Sequence, residues 1–162
     1  QRSGHIANDI VNETNAEALD KGLDTNYMDA KQDIEAAIDY AYKLNNDKPI
    51  ILVGSSYSSS LALLIATTND KVKAVVAFSP GEYLKGVYLG KSIEKLQKPC
   101  FVTSSETEVN RTAIVVKYID KKYVTQYMPH VEGIHGSRVL WDSTEGNADY
   151  WKAFSGFLAQ IK

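Results

Sequence analysis

Apolar residues recur along this chain in two distinct periods, and the switch between them marks its elements. Ala30, Ile34, Ala37, Ile38, Ala41 and Leu44 fall three and four residues apart, which predicts a helix from about Met28 to Leu44 with one apolar stripe. Asn45, Asn46 and Asp47 end it, and Pro49 prevents its continuation. The next stretch, Pro49 to Gly54, holds four consecutive apolar residues between Pro and Gly, the pattern of a strand buried on both faces of a parallel sheet. Lys73 to Phe78 and Pro99 to Thr103 repeat that pattern, and Tyr123 to Met128 predicts a fourth, partly alternating strand. Helical patterns follow the first three strands, at Ser58–Asn69, Lys91–Gln97 and Asn110–Asp120. A Gly- and His-containing loop covers 129–146. A last helix spans Asn147–Ile161, with Tyr150, Trp151, Phe154, Phe157, Leu158 and Ile161 on one face and Trp151 and Phe154 expected to pack on the sheet. The first 25 residues are polar, a long loop with a short helix near Glu13–Asp20. Strand and helix alternate, so the expected fold class is α/β, a three-layer α/β/α arrangement around a mostly parallel sheet with right-handed crossovers.

Composition narrows what such a chain can do. Its 162 residues predict one domain, spanning 1–162, and a hydrophobic share of 44% supplies a core. Eighteen basic and 20 acidic residues give a formal charge of −2, which offers no basic stripe for nucleic acid. No apolar run has the length of a membrane span. Cys100 is the sole cysteine, which excludes an internal disulfide and a cysteine-based zinc site; its place in a strand predicts a small core residue. No metal or cofactor is expected.

The candidate chemistry lies where the first strand turns into the next helix. Gly54-Ser55-Ser56-Tyr57-Ser58 sits at that turn. It resembles the G-x-S-x-G nucleophile elbow of the α/β-hydrolase family, with Ser58 in the last glycine's place. The resemblance extends over nearly all of the chain and implies a small, open esterase or a dienelactone-hydrolase-like member, since the short connection between the second and third strands leaves no room for a large helical cap. It implies Ser56 as nucleophile and the Tyr57 N–H as an oxyanion donor. It also implies a base from the loop after the fourth strand, where His135 stands in Ile134-His135-Gly136. His130 and His5 are the alternatives. The acid follows the third strand, where Glu108 and Glu106 compete and Glu108 sits at the family's usual place. The order Ser56, Glu108, His135 matches the family order of serine, acid and histidine. Tyr83 and Tyr88 are candidate pocket residues, and Arg138 and Trp141 follow the histidine loop.

The family fold places the elbow after a fifth strand, whereas one helix and a loop precede it here. Gln1-Arg2-Ser3-Gly4-His5 resembles the segment after the family's fourth strand. The expectation is therefore a piece of a longer protein lacking the first four strands and the second oxyanion donor. An upstream segment or a dimer partner would then cover the Ile50–Val53 edge. The expected reaction is cleavage of a small ester, lactone or related acyl bond, with a small-molecule acyl substrate and neither nucleic acid nor membrane as partner. The alternatives are a catalytically inactive hydrolase-like binding protein and an α/β domain that cradles an anion at Ser55–Ser60.

Overall fold

A computed structural model describes residues 12–161. Four strands form one parallel sheet in the order β1 (Ile50–Ser55), β2 (Val72–Phe78), β3 (Cys100–Thr103), β4 (Val124–Gln126). The helices are α1 (Glu13–Asp20), α2 (Lys31–Leu44), α3 (Tyr57–Ala66), α4 (Leu89–Ser92), α5 (Val109–Val116) and α6 (Asn147–Leu158). A 3₁₀ turn, Tyr27–Ala30, leads into α2, and another, Gly136–Leu140, lies in the loop before α6. The α/β class and the parallel sheet expected from the pattern are observed.

Side chains alternate across a strand, so the sheet feeds two cores. Val75, Ala77, Cys100 and Val102 point into one, which α2, α3, α4 and α5 close with Ile38, Leu61, Leu89 and Val115. Ala74, Val76, Phe78 and Phe101 point into the other, closed by Tyr150 and Phe157 of α6 together with Val139. All three crossover helices pack on one face, as crossovers of uniform hand require for strands in sequential order. Strand and α6 aromatics form a linked set: Phe78, Phe101, Phe154 and Phe157 meet at centroid distances of 5.6–6.4 Å.

Several boundaries move for identifiable reasons. The helix expected from Met28 begins as a 3₁₀ turn, and its regular part starts at Lys31. Helix α3 begins at Tyr57 and stops at Ala66, not Asn69, with the Thr67 hydroxyl donating back to Leu63 O at 2.9 Å. Helix α5 stops at Val116 because Asp120 instead caps the following turn, accepting from the Lys122 N–H at 3.1 Å. Helix α4 covers Leu89–Ser92, earlier and shorter than the expected Lys91–Gln97. The Glu82 carboxylate accepts from the Leu89 and Gly90 N–H groups at 2.6 and 3.1 Å, fixing the helix start from outside it. Helix α6 ends at Leu158, although Ile161 still packs on the second core. Trp151 faces outward, 45% exposed, and its indole N–H donates to Leu140 O.

Strand β1 is not buried on both faces. It pairs with β2 alone among the described strands, and Val53 is 53% exposed. Residues 1–11, with His5 and the opening segment that motivated the truncation reading, lie outside the described residues.

The Phe101 ring is fully buried and touches both sheet and α6. Phe101→Ala is expected to lower stability by about 3–5 kcal/mol in urea unfolding. A loss below about 1 kcal/mol would contradict this account of the second core.

Candidate functional site

The site lies at the carboxyl edge of the sheet, where Ser55, Phe78 and Thr103 sit at one level in the strand register. Loops leaving this edge converge, as open parallel sheets dictate. The residue following β1 is Ser56, with φ 57° and ψ −133°. A non-glycine residue in that region is strained, and here the turn is held from several sides. The Ser56 N–H still donates to Phe78 O at 2.8 Å, extending the sheet ladder by one bond. The Ser58 hydroxyl donates to Ser55 O at 2.7 Å and accepts from the Ser55 N–H at 3.3 Å, closing the turn from within. Gly54 is obligatory for a different reason: a Cβ there would stand 2.5 Å from Ser58 O and 2.6 Å from the Ser59 Cα. Strand and helix therefore pack backbone to backbone, and the Tyr57 N–H opens α3 without an intrahelical acceptor.

The Ser56 hydroxyl is 2.8 Å from His135 Nε2, and His135 Nδ1 is 2.6 Å from Glu108 Oε1. Glu108 ends a 3₁₀ turn after β3 and is half-buried; His135 leads into the Gly136–Leu140 turn. The other candidates fall elsewhere. Glu106 is exposed, and its backbone N–H donates to Glu132 O. His130 is exposed and lines a groove between β4 and α6. Tyr88 is not at the site; its hydroxyl meets that of Tyr118, just after α5, at 3.3 Å. Tyr83 stands edge-on to the His135 ring, centroids 6.5 Å apart. Arg138 reaches back to His135 O at 3.4 Å and lies over the Trp141 ring. Cys100 is buried, and burial pushes its thiol up to about 12, far from a reactive thiolate.

Two residues in the network, Ser79 and Ser105, were not read from the sequence. Ser79 follows β2 with φ 52° and is 1% exposed. Its hydroxyl donates to Glu108 Oε2 at 2.7 Å and accepts from the Gly136 N–H at 2.9 Å, joining the acid to the histidine loop. The Ser105 hydroxyl donates to the same Glu108 oxygen at 3.0 Å. Burial raises the Glu108 carboxyl, but the bonds from Ser79, His135 and Ser105 outweigh it and hold the group below the ordinary glutamate value. Ser79 precedes Pro80, a context that favours extended backbone, so its left-handed turn has no local signal. A second feature also comes from the fold alone: the Tyr27 ring stacks on Tyr57 at 4.2 Å.

No protein-family model matches the chain, and comparison with curated sequences finds no significant relative. Solved structures do share the fold. The esterase domain of a Rhodothermus marinus protein superposes with a TM-score of 0.58 at 16% identity, over 80% of this chain and 67% of that one. An esterase of Pyrococcus furiosus superposes with a TM-score of 0.65 at 17% identity, over 85% of this chain and 65% of that one. The chain thus has an esterase-like α/β fold and spans about two thirds of the length of these neighbours.

The depressed Glu108 carboxyl has a consequence for acid stability. Its ionised form stabilises the fold above the ordinary value of about 4.3, and that contribution is lost as pH falls through the lower folded value. Ser79→Ala removes the first of the three donors and leaves the buried Gly136 N–H short of an acceptor. We expect a loss of about 1–3 kcal/mol at neutral pH and an acid unfolding midpoint displaced to higher pH. An unchanged acid midpoint would contradict the role given to Ser79.

Proposed function

We propose that this protein is a serine hydrolase that cleaves a small ester, lactone or related acyl bond through an acyl-enzyme. The observation that carries the reading is the unbroken line from Ser56 Oγ through both His135 nitrogens to Glu108, starting on a left-handed strand-to-helix turn. The likeness of the fold to two esterases supports it.

In this mechanism Ser56 Oγ attacks the acyl carbon while His135 Nε2 takes its proton. Glu108, already ionised, accepts from the Nδ1–H; it fixes the tautomer that leaves Nε2 free and stabilises the imidazolium once it forms. The carbonyl oxygen becomes an oxyanion facing the Tyr57 N–H at the start of α3, where the helix dipole adds to the single bond. The imidazolium then returns its proton to the departing alkoxide, leaving the acyl group on Ser56. A water attacks this ester, His135 accepts the water's proton, and the acid product leaves with Ser56 restored. Nothing in this sequence of steps requires a metal or an organic cofactor.

A fluorophosphonate probe tests the assignment on the full-length protein. Ser56 is the expected site of labelling, absent in Ser56→Ala. Turnover of phenyl acetate is expected to fall on the order of 10⁴-fold in kcat for His135→Ala, with Glu108→Gln also strongly impaired and Glu106→Gln close to wild type. An unlabelled Ser56 in the full-length protein would overturn the hydrolase reading and favour a ligand-binding relative. Equal losses in Glu106→Gln and Glu108→Gln would overturn the choice of acid.

A further inference from the structure

Two tyrosines that line one hollow, Tyr27 and Tyr83, each touch a neighbour of the Ser56–His135 pair or a member of it. Tyr57 follows Ser56 directly, and the Tyr27 ring lies on it, centroids 4.2 Å apart and planes 12° from parallel. Tyr83 turns its edge to the His135 imidazole while its hydroxyl donates to Ser79 O at 3.3 Å. Between Tyr27 and Tyr83 opens a hollow of about 460 Å³, a volume suited to a small organic ligand. Leu19 adds apolar surface to it. Burial raises both the Tyr57 and the Tyr83 phenols, so the rings stay neutral and present aromatic faces and edges.

The polar character of this hollow is one-sided. Of the described residues that line it, Lys85 alone carries a charge; the remaining polar contributions come from Asn15, Thr25, Asn26 and the tyrosine hydroxyls. Lys21, Lys31, Lys43, Lys71 and Lys91 each hold a carboxylate at 2.5–3.1 Å. Lys85 is exposed and, like Lys48, Lys95, Lys121 and Lys152, has no such partner among the described residues; it is the one of these that borders the hollow. A cation with no ion-pair partner among the described residues, at the rim of an aromatic hollow, is complementary to an anion carried on a flat apolar group.

We propose that this hollow is the recognition site for a planar aromatic carboxylate, with Lys85 holding the carboxylate and Tyr27 and Tyr83 flanking the ring. It rests on the hydrolase reading of Ser56 for its further meaning: the preferred substrates are esters that carry an anion on an aromatic group, seated so that the ester bond reaches the Ser56 hydroxyl. The site then selects by charge at one end and by flatness at the other, rather than by the length of an acyl chain.

Binding and turnover test the two layers separately. Titration of the full-length protein with benzoate and with neutral benzamide, followed by calorimetry, reads the hollow without any chemistry. Benzoate is expected to bind about threefold to tenfold more tightly, and Lys85→Gln to abolish that difference while leaving benzamide unchanged. Added salt should narrow the gap. Equal binding of the two ligands, no binding of benzoate, or a preference that survives Lys85→Gln overturns the proposal. In turnover, 4-acetoxybenzoate is expected to exceed 4-acetoxybenzamide in kcat/KM by a similar factor, with the advantage lost in Lys85→Gln and both activities lost in Ser56→Ala. Equal, Ser56-dependent turnover of both esters overturns the proposal while sparing the hydrolase reading. Lys85-dependent benzoate binding with neither ester cleaved overturns the hydrolase reading while sparing the site.

Discussion

The arrangement of this protein depends on two sharp turns made where the sheet ends. The residues following β1 and β2, Ser56 and Ser79, both take left-handed backbone, and each is pinned by one more ladder bond after its strand has ended: Ser56 N–H to Phe78 O at 2.8 Å, and Ser79 N–H to Thr103 O at 2.7 Å. Each turn is thus anchored on the next strand in the sheet. The β1 turn is held by β2 and the β2 turn by β3, so the parallel register itself sets the spacing between the two hydroxyls. One hydroxyl emerges toward His135, and the other is folded under it toward Glu108.

That placement resolves an electrostatic conflict. A half-buried carboxylate is disfavoured by lost hydration, and a neutral glutamic acid would be a poorer acceptor for the His135 ring N–H. Two serine hydroxyls and the His135 N–H replace the missing water with fixed dipoles. Because the Ser79 hydroxyl also takes the Gly136 N–H, the same atom sets the acid and the backbone beside the histidine. A Cβ at Gly136 would meet the Ser55 hydroxyl at 2.6 Å, so this approach is as close as the chain permits. The geometry is carried by short polar contacts between loops, and the two apolar cores beneath hold the strand ends in place.

Much of this was legible in the order of residues, for a physical reason in each case. Buried strands and amphipathic helices leave periodic patterns, and the type and order of the main elements follow from them. Ser56, Glu108 and His135 were legible because each lies in a segment that follows such a strand, and the fold brings those segments together. What was not legible depends on contacts between distant segments. The start of α4 is set by Glu82, and the place of Tyr27 by its stacking on Tyr57. Ser79 is the clearest case, since the Pro80 that follows it argues locally for the opposite backbone from the one it adopts.

The left-handed serines also set a limit on how this protein can be stabilised. Side-chain-bearing residues in such backbone cost of order 1–3 kcal/mol each, and glycine removes most of that cost. Position 56 is therefore where a search for thermal stability alone finds an easy gain, and where that gain removes the hydroxyl facing His135; at position 79 glycine would also take away the bonds to Glu108 and the Gly136 N–H, which offsets the relief. Stabilising substitutions that keep both hydroxyls lie elsewhere, at the α6 aromatics or the half-exposed Val53, where packing can improve without relaxing either turn.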